Sequence, residues 1–109
     1  MQPLSRITPA TVDVLEVLEN STGPCWGMLV ITSSGRPAGS VYPILERLEQ
    51  AGWATSSWEE DESRPGPRRR YYELTEGGAD AARTAIAGFR ARVGSAASTG
   101  AVITRVGIA

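Results

Sequence analysis

Histidine and lysine are absent from this 109-residue chain, and cysteine and phenylalanine occur once each. Without histidine the commonest general base and metal ligand is missing. No glycine-rich phosphate loop, nucleophile elbow or CxxC pair stands in for it. The run Glu59-Glu60-Asp61-Glu62 lacks the spaced oxygen ligands and turn glycine of a calcium loop, so it reads as a solvated charge run. No enzyme activity, metal or cofactor is expected. A lone Cys25 excludes an internal disulfide framework and fits a reducing compartment. Beside Trp26, at the start of an apolar stretch, it suits a small core position. No segment approaches the roughly 18 apolar residues of a membrane helix, and no basic stretch followed by an apolar run opens the chain. The expectation is a soluble, cytoplasmic protein with no membrane partner. A net charge of −1 excludes a histone-like polycation, so any hold on nucleic acid must come from a local patch. All eleven basic residues are arginine, whose fork suits phosphate and guanine better than lysine does.

A chain of this length implies one small domain with a modest core, which a second subunit would help to cover. Thr8-Pro9 is a helix start, the threonine placed to cap and the proline in the first turn. Thr11, Val14, Leu15 and Leu18 form one stripe, widened by Val12 and Val17, and Asn20 to Pro24 ends the helix with turn residues. A second helix is expected from about Pro24 to Thr32, with Cys25, Met28, Leu29 and Thr32 on one face. A third runs from about Ser40 to Ala51 and stops at Gly52, with Val41, Ile44, Leu45 and Leu48 on its inner side. The period then changes. Residues 53–59 and 69–74 read as two strands of a hairpin, joined by a charged loop with two prolines and a glycine. Thr75 can cap a fourth helix to about Val93, in which Ala79, Ala82, Ile86, Phe89 and Val93 make a coiled-coil-like seam. Residues 94–109 begin as a flexible linker and end as an apolar tail or an added strand.

Helix, helix, turn, helix and a hairpin with a basic tip is the order of a winged helix. The fold expected is mainly α with a β-hairpin wing: a winged helix-turn-helix over residues 1–75, a C-terminal dimerisation helix over 76–93 and the tail over 94–109. In such a fold the third helix enters the major groove and the hairpin lies along the backbone beside it. Ser40 and Tyr42, in the first turn of that helix, can meet a phosphate, and Arg47 one turn on can reach a phosphate or a guanine edge. Each has a structural alternative: Ser40 as a helix cap, Tyr42 packed on the wing, Arg47 paired with an acid. Arg64, Arg68, Arg69 and Arg70 crowd the wing, where they suit phosphate contact or insertion into a minor groove, or simply make a solubilising loop. Arg64, Arg68 and Arg69 are candidate DNA contacts, with Arg36 in the turn before the third helix. Arg70 shares strand parity with Tyr72 and Leu74, which points its stem inward.

The stretch Ser40-Val41-Tyr42-Pro43-Ile44-Leu45-Glu46-Arg47-Leu48-Glu49, then Gly52-Trp53, then Arg68-Arg69-Arg70-Tyr71-Tyr72-Glu73-Leu74-Thr75 and Gly78, resembles the PadR family of bacterial transcriptional regulators. The likeness covers roughly residues 8–93. It implies a homodimer that binds double-stranded DNA and represses genes until a small-molecule effector or a stress signal releases it. Three features depart from the family pattern. Cys25-Trp26-Gly27-Met28 lacks the Tyr or Glu often found after the aromatic-Gly pair, Glu73 stands where many members carry a basic residue, and the C-terminal helix has no Trp. The aromatic drug-sandwiching site of some members therefore does not carry over.

The reading is a homodimeric DNA-binding repressor acting on an inverted-repeat operator. The expected dimer interface is Ala82, Ile86, Phe89 and Val93 of the last helix, with Leu15 and Leu18 facing them across a two-fold axis. The alternatives are a winged-helix adaptor that binds protein without DNA and a small sensor that holds a ligand or metal between subunits. The acidic first helix and near-neutral charge allow the adaptor reading.

Overall fold

Thr8 accepts a hydrogen bond on its hydroxyl from the Thr11 N–H at 3.1 Å and so starts α1, Pro9–Asn20, at the expected residue. The computed structural model describes the backbone of residues 1–60 and 63–108 and the side chains of 1–60 and 63–94. The elements after α1 are β1 (Cys25–Trp26), α2 (Gly27–Ser34), α3 (Ala38–Gln50), β2 (Ala54–Trp58), β3 (Arg70–Leu74) and α4 (Glu76–Ile108). Four helices and a three-stranded antiparallel sheet of order β1-β3-β2 make a winged helix. No helix among the described residues is long and apolar enough to cross a membrane.

The second helix differs from its sequence expectation. Cys25 and Trp26 pair with Tyr72 and Tyr71 as a third strand, so α2 starts at Gly27 instead of Pro24. Pinned to the sheet there, it turns Gly27, Val30, Ile31 and Ser34 inward and leaves Met28, Leu29 and Thr32 exposed. Gly35, at φ 72°, closes the helix in the left-handed conformation that glycine tolerates. Cys25 is buried, and burial pushes its thiol above the usual range. That fits a core residue and not a nucleophile.

Val41, Ile44, Leu45 and Leu48 hold α3 on the core as their spacing predicts. Its end is a junction. Gly52 takes φ 82°, the Trp53 N–H donates to the Leu48 carbonyl at 2.8 Å, and the Thr75 N–H donates to the Trp53 carbonyl at 2.9 Å. The buried Trp53 indole donates to the Gln2 carbonyl at 2.6 Å, which ties the N-terminal arm to the same point. Thr75 then caps α4 by accepting from the Gly78 N–H at 2.8 Å. Gly78 passes so close to Trp53 that a Cβ on it would lie 1.9 Å from the Trp53 carbonyl oxygen.

α1 is covered by α2, α3 and α4, which explains its broad apolar surface. Leu15, Leu18, Ala82 and Ile86, expected at a subunit interface, lie inside the chain's own core. The reason is that the first half of α4 folds back on α1, held by Arg83 to Glu19 at 3.2 Å and Arg90 to Glu16 at 2.7 Å. Phe89 is half-buried at the edge of that core and Val93 is exposed. The α4 backbone continues past Val93, where the sequence reading ended it, since no proline interrupts the alanine-rich run that follows. The side chains of residues 95–109 lie outside the described residues.

Candidate nucleic-acid interface

The outer side of α3 and the wing meet across the start of α2. Gly27 lets them approach: a Cβ there would sit 3.0 Å from the Tyr42 ring and 3.2 Å from its hydroxyl oxygen. On the other side of Gly27, the guanidinium of Arg69 lies 3.9 Å from the centroid of the Trp26 ring. Tyr42, Gly27, Trp26 and Arg69 therefore form a continuous run from helix to wing. Tyr42 is exposed, and no hydrogen bond of its hydroxyl is found among the described residues. Arg69 Nε is buried and makes no hydrogen bond among the described residues, so the stack on Trp26 helps to orient the group.

The candidates separate by surroundings. Arg47 is exposed on α3, its Nε donating to the Pro43 carbonyl at 3.3 Å. Ser40 is half-buried in the first turn, where its N–H already donates to the Pro37 carbonyl at 2.9 Å, and the cap position itself is Pro37. Arg68 is exposed on the wing. Arg36 donates from Nε to Asp13 at 2.8 Å, an ion pair that holds the turn before α3 to α1. Arg64 is engaged differently from its expectation. Its Nε and Nη2 each donate to Glu59 at 2.7 Å, and the same group donates to the Pro65 and Pro67 carbonyls. A fork occupied in this way shapes the wing tip from inside.

Glu59 is the acid at the centre of that clamp. It also accepts from the Arg69 N–H at 3.2 Å. The Arg64 hydrogen bonds hold its carboxyl down to about 2, assisted by the Arg69 N–H and by the charges of both arginines. Arg70 points inward, as strand parity predicts, and donates to Ser56 at 2.8 Å and Glu49 at 3.4 Å. Ser56 in turn donates to Glu49 at 2.6 Å, so the end of α3 is tied to both wing strands. Trp58, half-exposed on β2, lies under the Arg70 guanidinium at 5.0 Å. Sequence reasoning missed Trp26, Trp58 and Glu59 as partners of the wing arginines. Cross-strand register sets Trp58 opposite Arg70 and Trp26 opposite Tyr71, two residues beyond Arg69 along the chain, and no local motif announces either.

Among the described residues no group of three His, Cys, Asp or Glu side chains gathers to hold a metal.

The family model of the transcriptional regulator PadR-like family matches residues 14–84. No curated protein matches the sequence. Among solved structures, a protein from Ralstonia eutropha JMP134 inferred to bind DNA is 30% identical, with a TM-score of 0.57 over 72% of this chain and 96% of its own. A PadR family transcription regulator from Clostridium difficile R20291 is 22% identical, with a TM-score of 0.63 over 81% of this chain and 95% of its own. Bordetella bronchiseptica BpsR, whose DNA binding is regulated by 6-hydroxynicotinic acid, is 21% identical, with a TM-score of 0.68 over 90% and 70%. The last two likenesses bear on the fold alone.

Proposed function

Since the chain belongs to the PadR-like family of transcriptional regulators, we propose that it binds double-stranded DNA as a homodimeric repressor on an inverted-repeat operator. The observation that carries this reading is the run Tyr42, Gly27, Trp26, Arg69, which joins the outer face of α3 to a wing arginine already set over an indole. A duplex seated on α3 would meet that arginine without further ordering of the wing, and pre-ordering reduces the cost of binding. In this reading Tyr42 and Ser40 meet a phosphate at the start of α3. Arg47 reaches a phosphate or a guanine, and Arg68 and Arg69 hold the neighbouring backbone. Arg36 and Arg64 act from behind, shaping the turn and the wing tip.

Release by a small-molecule effector belongs to the same reading. Its support here is an open, largely apolar groove of about 720 Å³ between the N-terminal arm and α4, lined in part by Leu4, Ile7, Trp53, Ala81 and Ala85. The alternative, a protein-binding adaptor, is favoured by one feature, the exposed pair Met28 and Leu29 on α2.

Titration of a random duplex at several salt concentrations separates the two. Each arginine that neutralises a phosphate adds about 0.9 to the log–log salt slope. Replacing Arg68 and Arg69 with Ala should flatten the slope accordingly and weaken specific and nonspecific binding together. A parent protein with no salt-dependent binding would favour the adaptor.

A further inference from the structure

The row of α3 farthest from the core is Gly39, Pro43, Glu46 and Gln50, spaced four, three and four residues apart and exposed throughout. Two of these residues disfavour a helix. Gly39 has an ordinary backbone conformation and nothing within 4 Å of where a Cβ would stand, so the fold does not require a glycine there. Pro43 lies inside the helix and removes the N–H that would bond the Gly39 carbonyl. The row is thus composed against the needs of the helix itself, as a surface shaped for a partner would be.

Glu46 stands in the middle of this row. Glu16, Glu19, Glu49 and Glu59 each pair with an arginine. Glu46, like Glu60, Glu73 and Glu76, has no ion-pair partner among the described residues; of these it alone lies on the outer row of α3, where it accepts only from Gln50 Nε2 at 3.4 Å. A carboxylate on a face that meets DNA is repelled by every phosphate, so it favours binding only where a base offers it a donor. In the major groove cytosine presents a lone N4 amino donor. Adenine sets its N6 donor beside the N7 acceptor, which an acceptor-only carboxylate leaves unsatisfied.

We propose that Glu46 is a specificity-determining residue that accepts a hydrogen bond from cytosine N4 in the major groove. The proposal rests on the DNA-binding reading above, and its test keeps the two apart. The full chain and its Glu46→Ala and Glu46→Gln variants are each used to select duplexes from a library with a randomised core. The parent should enrich a fixed cytosine in each half-site. Glu46→Ala should lose about tenfold of that preference while binding random duplex at least as tightly, because a repulsive charge is gone. Glu46→Gln should exchange the cytosine for adenine, whose N6 and N7 match a carboxamide. Glu46 is exposed, so both variants should melt with the parent. Recovery of the parent's motif unchanged by both variants, or weaker binding of random duplex by Glu46→Ala, would overturn the assignment and leave DNA binding standing. A parent that retains no duplex would overturn both.

Discussion

The Arg69 guanidinium carbon lies over the Trp26 indole, 3.9 Å from its centroid, although one residue precedes β3 and the other ends β1. The short pairing of β1 with β3 makes this possible by setting Trp26 opposite Tyr71. A planar cation on a fixed ring loses little freedom when it meets a phosphate. Stacks of this kind contribute about 0.5–2 kcal/mol, according to how far they are desolvated.

Trp26→Leu should therefore weaken duplex binding by about threefold to tenfold, with Arg69 still present. In a cycle with Arg69→Ala the two losses should couple by at least about 0.5 kcal/mol. Strict additivity in duplex titrations would mean that the indole does not position the arginine.

The Glu59 clamp gives the wing a pH dependence of known sign. Its carboxyl, ordinarily near 4.5, is held at about 2 in the folded chain, chiefly by Arg64. A folded value below the unfolded one contributes stability that is complete above about 4.5 and fades as pH falls through about 2. Carboxyl NMR should place the Glu59 midpoint near 2 in the parent and return it toward 4.5 in Arg64→Ala. A parent midpoint near 4.5 would remove the clamp from the account.

Two glycines should respond in opposite directions. Gly78→Ala would put a methyl 1.9 Å from the Trp53 carbonyl oxygen, which belongs to a backbone held on both sides. It should lower stability by about 3 kcal/mol. Gly39→Ala meets open space and should raise stability by about 1 kcal/mol. Thermal melts of the pair decide the point. A Gly78→Ala protein that melts with the parent would place α4 farther from Trp53 than described.

The seam of α4 divides between the fold and the proposed dimer. Ile86 is buried within the chain, so Ile86→Ala should cost about 2–5 kcal/mol of folding stability. Phe89 is half-buried, with the exposed Val93 one turn beyond it. Phe89→Ala should chiefly loosen the proposed dimer, read as a shift toward monomer in sedimentation. An equally tight dimer would move the interface elsewhere.

Local chemistry made the ends and faces of the elements legible. Thr8 and Thr75 cap as their positions in the sequence suggest, Gly52 closes α3, and Val41, Ile44, Leu45 and Leu48 turn inward. A two-residue strand has no period to detect, so β1 and its effect on α2 stayed hidden. The seam of α4 was visible, but periodicity does not say what covers an apolar face. Here α1 of the same chain covers Ala82 and Ile86. In the candidate site, an arginine's residue type told of its capacity and not of its engagement. Arg64 and Arg36 are held by Glu59 and Asp13 through contacts that depend on how the chain folds back. The outward row of α3 is legible from spacing alone, but spacing does not say that Glu46 lacks an ion-pair partner, which only the folded chain shows.

The packing of α4 on α1 also has a bearing on synthesis. The Arg83–Glu19 contact spans 64 residues, and a ribosome adding about 5–20 residues per second takes roughly 3–13 s to supply that length. During that interval α1 has left the peptidyl-transferase centre while the helix that completes its cover has yet to be translated. Val14, Leu15 and Leu18 must wait in a nascent chain whose remaining elements can shield only part of them. A message truncated between β3 and Ala82 would therefore yield a product prone to capture by chaperones or to aggregation, even though every residue proposed to touch DNA is already present in it.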